Sequence, residues 1–138
     1  MNLTEAKYIE LLARGTVREV GTPHGPPSLS AESEHHFLAR ILALAKQHGW
    51  LSYHTHDSRK SAPGFPDIVV VKPPSVHHKE GRLVFAELKT RTGKLTAAQH
   101  QWISILHTVQ GIDCYVWRPQ DWDTIVDILT STDGLSVP

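Results

Sequence analysis

Apolar residues along the chain fall into stretches of helical spacing and stretches of strand spacing, separated by turn residues. Residues 4–14 suggest a short helix, with Thr4 as its cap, Tyr8, Leu11 and Leu12 on one side, and Gly15 as a stop. Gly21–Ser30 holds three prolines and two glycines and reads as a linker, so the compact domain is expected to begin near Leu29. From Ser30, a second helix is expected over 31–48, with Phe37, Leu38, Ile41, Leu42 and Ala45 as its apolar stripe and Gly49 as its end. Leu51–His56 alternates as a strand does. Asp67–Lys72 is β-branched and nearly continuous, the pattern of a strand covered on both faces, and Arg82–Lys89 is the next strand. Thr96 caps a helix expected to reach Gln110, with Trp102, Ile105, Leu106 and Val109 on its apolar side. "DCYVWRP" reads as a fourth strand and "DWDTIVDIL" as a last helix.

The expected order is α-β-β-β-α-β-α, an α/β domain with a mixed sheet of about four strands flanked by helices. The link from the third strand through the 96–110 helix is long enough for a right-handed parallel crossover. Three segments result: an N-terminal extension over 1–28, the compact domain over 29–132 and a tail over 133–138.

Charge interrupts this pattern where a buried strand should avoid it. Asp67 opens one apolar strand, and Glu87 and Lys89 sit inside another. Side chains alternate across a strand, so Glu87 and Lys89 share a face and Leu88 takes the other. Two carboxylates brought side by side repel, and burial raises the cost. A divalent cation relieves that repulsion, and hard oxygen ligands suit Mg²⁺ or Mn²⁺.

Composition narrows the class. The chain has 138 residues, within the size of one domain, with 40% hydrophobic and 20% charged residues. Cys114 is the single cysteine, so no internal disulfide forms, and a reducing interior such as the cytoplasm is the expected location. No apolar run approaches the ~20 residues of a membrane span. Formal net charge is zero, yet residues 57–94 carry eight Lys or Arg against four acids, while residues 110–138 carry five Asp against Arg118. Such asymmetry can steer a polyanion to one face. Ten histidines offer no set with zinc-ligand spacing; His54 and His56 share a strand face and are expected to border the site.

The ordered set D67…E87-x-K89, preceded by Pro66, resembles the PD-(D/E)xK nucleases with their restriction-endonuclease-like fold. Glu34, "GFPD" at 64–67, "FAELK" at 85–89, "GKLTAAQ" at 93–99 and "VWRPQDW" at 116–122 make it similar to the VRR-NUC (virus-type replication-repair nuclease) branch, especially the short stand-alone phage and bacterial forms. The resemblance covers about residues 30–130, with no departure at a catalytic position, and leaves residues 1–28 outside. It implies that Asp67 and Glu87 ligate the metal together with the Leu88 carbonyl, and that Lys89 orients or helps deprotonate the attacking water. Glu34 and Gln99 would complete the site, Glu34 also as a ligand. It further implies Mg²⁺- or Mn²⁺-dependent hydrolysis of DNA to 5′-phosphate ends, action on branched DNA such as four-way junctions, and a homodimer in a bacterial or phage-infected cytoplasm.

Plainer readings of the same residues stand beside these. Glu34 suits a helix N-terminus, although its spacing to Phe37, Leu38 and Ile41 directs it to the core side. Gln99 has capping-box spacing from Thr96, and the two roles are compatible. Lys89 can snorkel at a strand end, and Asp67 can cap a turn. Arg59, Lys60, Arg91 and Lys94 flank the strands of the site and are the expected phosphate contacts. Two rival classes are a catalytically silent nuclease-like module that binds DNA or a replication partner, and a histidine-rich metal-binding protein.

Overall fold

The computed structural model describes residues 32–56 and 58–131. The expected helix at 4–14, the linker, Ser30 and the 133–138 tail lie outside the described residues. The elements are α1 (Glu34–Gln47), β1 (Leu51–His54), β2 (Ile68–Lys72), β3 (Arg82–Leu88), α2 (Ala97–Leu106), β4 (Ile112–Trp117) and α3 (Trp122–Thr130). One-turn 3₁₀ helices at Ser58–Lys60 and Pro119–Asp121 are additions that the hydrophobic pattern is too short to register. Among the described residues no helix is long and apolar enough to cross a membrane.

The four strands stand in chain order. β1–β2 and β2–β3 are antiparallel and β3–β4 is parallel. The mixed sheet and the α2 crossover are therefore as the element order requires. Cross-strand partners share a face, so Ile68, Val70, Val84, Ala86 and Leu88 form one apolar surface. α1 supplies Phe37, Ile41, Leu44 and Ala45 to that surface, and α3 supplies Ile125, Ile128 and Leu129. The Trp50 indole N–H donates to the Leu129 carbonyl at 2.8 Å and ties the entrance of β1 to α3. α1 is capped by Ser33, whose hydroxyl accepts from the His36 N–H at 3.1 Å, three residues later than the expected cap.

The other face is covered mainly by α2, and here three expectations are corrected. β2 is fully covered on one face only: Val71 is exposed, as are Leu51 and Tyr53 on the edge strand β1, because α2 packs against β4. The apolar side of α2 is also different. Ile105 and Val109 are exposed at 57% and 46%, while Ile103 is buried. α2 ends at Leu106, which leaves Val109 in a turn, and the sheet-facing stripe runs Gln99, Trp102, Ile103 and Leu106. A polar residue thus belongs to the packed face of α2. Third, Glu34 is exposed and not core-facing. It is the first residue of α1, and a helical side chain leans toward the N-terminus, past the packed turns.

Candidate active site

β1 ends, β2 begins, β3 ends, α2 begins and β4 ends at one end of the sheet. The antiparallel and parallel pairings force this, and they bring Asp67, Glu87, Lys89 and Gln99 together from distant parts of the chain.

Gly64 sets the approach. Its φ of +82° is a left-handed conformation that side chains resist, and a Cβ there would lie 2.3 Å from the Ala98 carbonyl carbon. The segment before Asp67 therefore lies directly against the first turn of α2. Phe65 packs edge-on to both Trp102 and Phe85, at 5.1 and 6.2 Å between ring centroids, and the Trp102 indole donates to the Pro63 carbonyl at 3.1 Å.

Asp67 is tied to the sheet on both sides. Its backbone carbonyl accepts from the Thr55 N–H at 3.0 Å, and its Oδ2 accepts from the Leu88 N–H at 2.8 Å. The side chain thus spans to β3 instead of capping its own turn. That contact aims the carboxylate at the Glu87-Leu88-Lys89 segment.

Glu87 is 2% exposed. Its Oε1 accepts from the Gln99 side-chain amide at 2.5 Å, and the Lys89 ammonium stands 3.9 Å from the same oxygen. Its Oε2 is buried with no hydrogen-bond partner. Burial pushes the Glu87 carboxyl up to about 8. The neighbouring Asp67 carboxylate adds to the shift, Lys89 opposes it, and Glu34 adds to it. Two carboxylates are both acceptors, so only a proton or a cation can join them. Burial, and after it the Glu87 charge, raises the thiol of Cys114 to about 11 and leaves it inert.

Gln99 closes the cap of α2 and also reaches Glu87. Its Oε1 accepts from the Thr96 N–H at 2.9 Å, and its N–H donates to the Thr96 hydroxyl at 3.2 Å, which closes the capping box. Its Nε2 is left for Glu87. Glu34 stands at the rim, exposed, near enough for its charge to act on Glu87. His54 pairs with Ile68 beside Asp67, and its ring lies 4.1 Å from that of His56. Among the described residues no group of three or more His, Cys, Asp and Glu is arranged to hold a metal. The donor set of this end is the Asp67–Glu87 pair, with an orphaned carboxylate oxygen that suits a hard cation.

The basic middle of the chain divides in space. Lys72 pairs with Arg82 at the opposite end of the sheet, where Lys72 donates to the His48 carbonyl and Arg82 pairs with Asp113 at 3.1 Å. Arg59 and Lys60, in the β1–β2 connection, and Arg91 and Lys94, in the β3–α2 loop, are exposed at the end that carries Glu87. Two residues that the sequence reading gave no role lie beside them. Arg118 and Gln120, from the β4–α3 connection, donate to backbone carbonyls of the β3–α2 loop. The "VWRPQDW" motif was their signal.

No curated protein and no solved structure matches the chain. The profile of the VRR-NUC domain matches residues 4–120. The match begins well before the linker, where the resemblance carried by the motifs begins near residue 30, and it ends within the 3₁₀ turn that precedes α3. With most of its length matched and its carboxylates, lysine and glutamine gathered at one end of the sheet, the chain belongs to the VRR-NUC family of nucleases.

Proposed function

We propose that the protein is a metal-dependent DNA endonuclease of the PD-(D/E)xK type. The observation that carries the reading is the buried Glu87 beside the half-buried Asp67, in which Glu87 Oε2 meets no donor while Lys89 stands beside Oε1. A structural site would neutralise such a carboxylate; this one leaves an oxygen for a ligand. Asp67 and Glu87 would hold Mg²⁺ or Mn²⁺ with the Leu88 carbonyl. Substrate phosphate oxygens and water would fill the remaining positions, as is usual for Mg²⁺. A bound cation lowers the pKa of water and offsets charge on the phosphoryl group.

The chain's own side chains do the rest. Gln99 fixes the Glu87 rotamer through its amide and is itself fixed by Thr96. The Lys89 ammonium orients the attacking water and stabilises negative charge that develops on phosphate. The water oxygen bonds to phosphorus, the bond to the 3′ oxygen breaks, and the products carry 5′-phosphate and 3′-hydroxyl ends. Arg59, Lys60, Arg91 and Lys94 hold backbone phosphates on either side. The family resemblance favours branched DNA, including four-way junctions, and a homodimer that makes paired incisions.

A cleavage assay with Mn²⁺ on linear, flapped and four-way DNA tests the reading. Cutting is expected with Mn²⁺ and not with EDTA, strongest on branched substrates, and lost in Lys89→Ala. DNA binding with no cutting on any substrate would instead favour the silent binding module.

A further inference from the structure

β3 and β4 pair in parallel as far as Leu88 and Trp117, and the Lys89 N–H still donates to the Trp117 carbonyl at 3.0 Å. One more rung of a parallel ladder would draw on the N–H of residue 119. That residue is Pro119, which has none. The ladder stops there, and the carbonyls beyond Lys89 need other donors. Side chains supply them. Arg118 Nη1 donates to the Thr90 carbonyl at 2.8 Å and reaches the Arg91 carbonyl at 3.5 Å. Gln120 Nε2 donates to the Arg91 carbonyl at 3.1 Å. The two donors are held in turn: Arg118 N–H donates to Asp121 Oδ2 at 2.9 Å, and Pro119 is buried. Within the loop, the Gly93 N–H donates to the Thr90 hydroxyl at 3.1 Å.

The clamped segment lies between Lys89 and Thr96. It carries Arg91 and Lys94, both exposed, and leads into the capping box that holds Gln99. An exposed loop without these anchors would lose entropy each time it met DNA. We propose that Arg118 and Gln120 are positioning residues that preorganise the 90–94 loop, so that Arg91 and Lys94 meet the DNA backbone in register. Arg118 acts through the loop cations and not as a phosphate ligand of its own. The inference rests on the nuclease reading above.

The test measures affinity for a four-way DNA junction and its salt dependence. The proteins are wild type, Arg118→Ala, Arg118→Lys, Gln120→Ala and Arg91→Ala/Lys94→Ala, with each clamp variant also made in the double-mutant background. Arg118→Ala is expected to weaken binding about tenfold. Its salt slope is expected to fall toward that of Arg91→Ala/Lys94→Ala, by about two units instead of the one its own charge would carry. Arg118→Lys restores little, because the lysine ammonium sits one atom nearer its backbone and lacks the rigid plane that aims Nη1 at the Thr90 carbonyl. In the Arg91→Ala/Lys94→Ala background the Arg118→Ala loss shrinks to less than about twofold, the mark of residues that act as one unit. Full rescue by lysine, or an undiminished loss in that background, would show Arg118 binding phosphate directly and would overturn the proposal. If Arg118→Ala fails to fold, exposed Gln120→Ala carries the same test, with a loss of about threefold and the same non-additivity. Wild-type protein that binds no DNA would bring down the nuclease reading and the clamp together; a binding wild type with additive variants would bring down the clamp alone.

Discussion

Glu32 and Glu87 are both withdrawn from water, and the fold treats them in opposite ways. Glu32, just before α1, receives Arg40 at 2.7 Å on both carboxylate oxygens, and each side chain is 4% exposed. The guanidinium lies 3.9 Å over the Trp122 ring, so the pair also joins α1 to α3. Glu87 faces a second carboxylate, has its nearest ammonium at 3.9 Å, and keeps one oxygen without a partner. A buried carboxylate with a donor on each oxygen is architecture. A buried charge left incomplete holds free energy that a ligand can recover.

Breaking the Glu32–Arg40 pair is expected to have the largest effect on stability. Arg40→Ala leaves the Glu32 carboxylate buried with its main partner gone, a change worth about 3–5 kcal/mol of unfolding free energy. Urea denaturation reads it directly. A loss below about 1 kcal/mol would mean that water reaches Glu32 and that the contrast with Glu87 is false.

At the incomplete pair the cost is expected to fall on activity. Lys89→Ala is predicted to slow single-turnover cleavage about 10²–10³-fold, about 2.7–4 kcal/mol of transition-state stabilisation, with DNA affinity little changed. Near-normal turnover would remove Lys89 from the mechanism.

The pH dependence of stability tests the strain at Glu87. The Glu87 carboxyl is raised from 4.5 to about 8, so the folded state holds its proton more tightly than the unfolded chain. That contribution is complete below pH 4.5 and is lost as pH rises to about 8. Glu87→Gln imitates the protonated form and keeps an acceptor for Gln99. In EDTA it is expected to melt close to wild type at pH 5 and above wild type at pH 8.5. Parallel melting curves across that range would show that Glu87 is not strained.

Asp67→Asn probes the same strain from the neighbouring residue with a smaller change. The amide oxygen can still accept from Leu88 N–H, and one negative charge next to Glu87 is gone. In EDTA near neutral pH the variant is predicted to be at least as heat-stable as wild type. Mn²⁺ is predicted to raise the melting temperature of wild type more than that of Asp67→Asn, since a ligand stabilises the state that binds it. Equal shifts would show that Asp67 is not a ligand. The smallest effects belong to the loop cations: Arg91→Ala and Lys94→Ala are each expected to lower the salt slope of DNA binding by about one unit.

Sequence alone determined the elements, because the periods that define them are local. Helical and strand spacing located all seven described helices and strands, with boundaries shifted by a few residues where a cap or a turn intervened, as at Ser33 and Leu106. Charge within apolar strands marked Asp67, Glu87 and Lys89, since burying a charge is costly enough to need a reason. Tertiary structure decided which surfaces meet. Val71 is exposed and Ile103 buried because α2 lies toward β4, a choice that neither segment encodes alone. Gln99 reaches Glu87 because Gly64 lets the backbone before Asp67 lie against the first turn of α2. Arg118 and Gln120 reach Thr90 and Arg91 because the parallel pairing of β3 with β4 brings residues nearly thirty apart into hydrogen-bonding range. The basic residues of the middle segment went to opposite ends of the sheet because strand direction, and not sequence distance, sets where each loop emerges. A carboxylate buried beside another has no meaning until the strands pair, since the repulsion that gives it a use exists only at that distance.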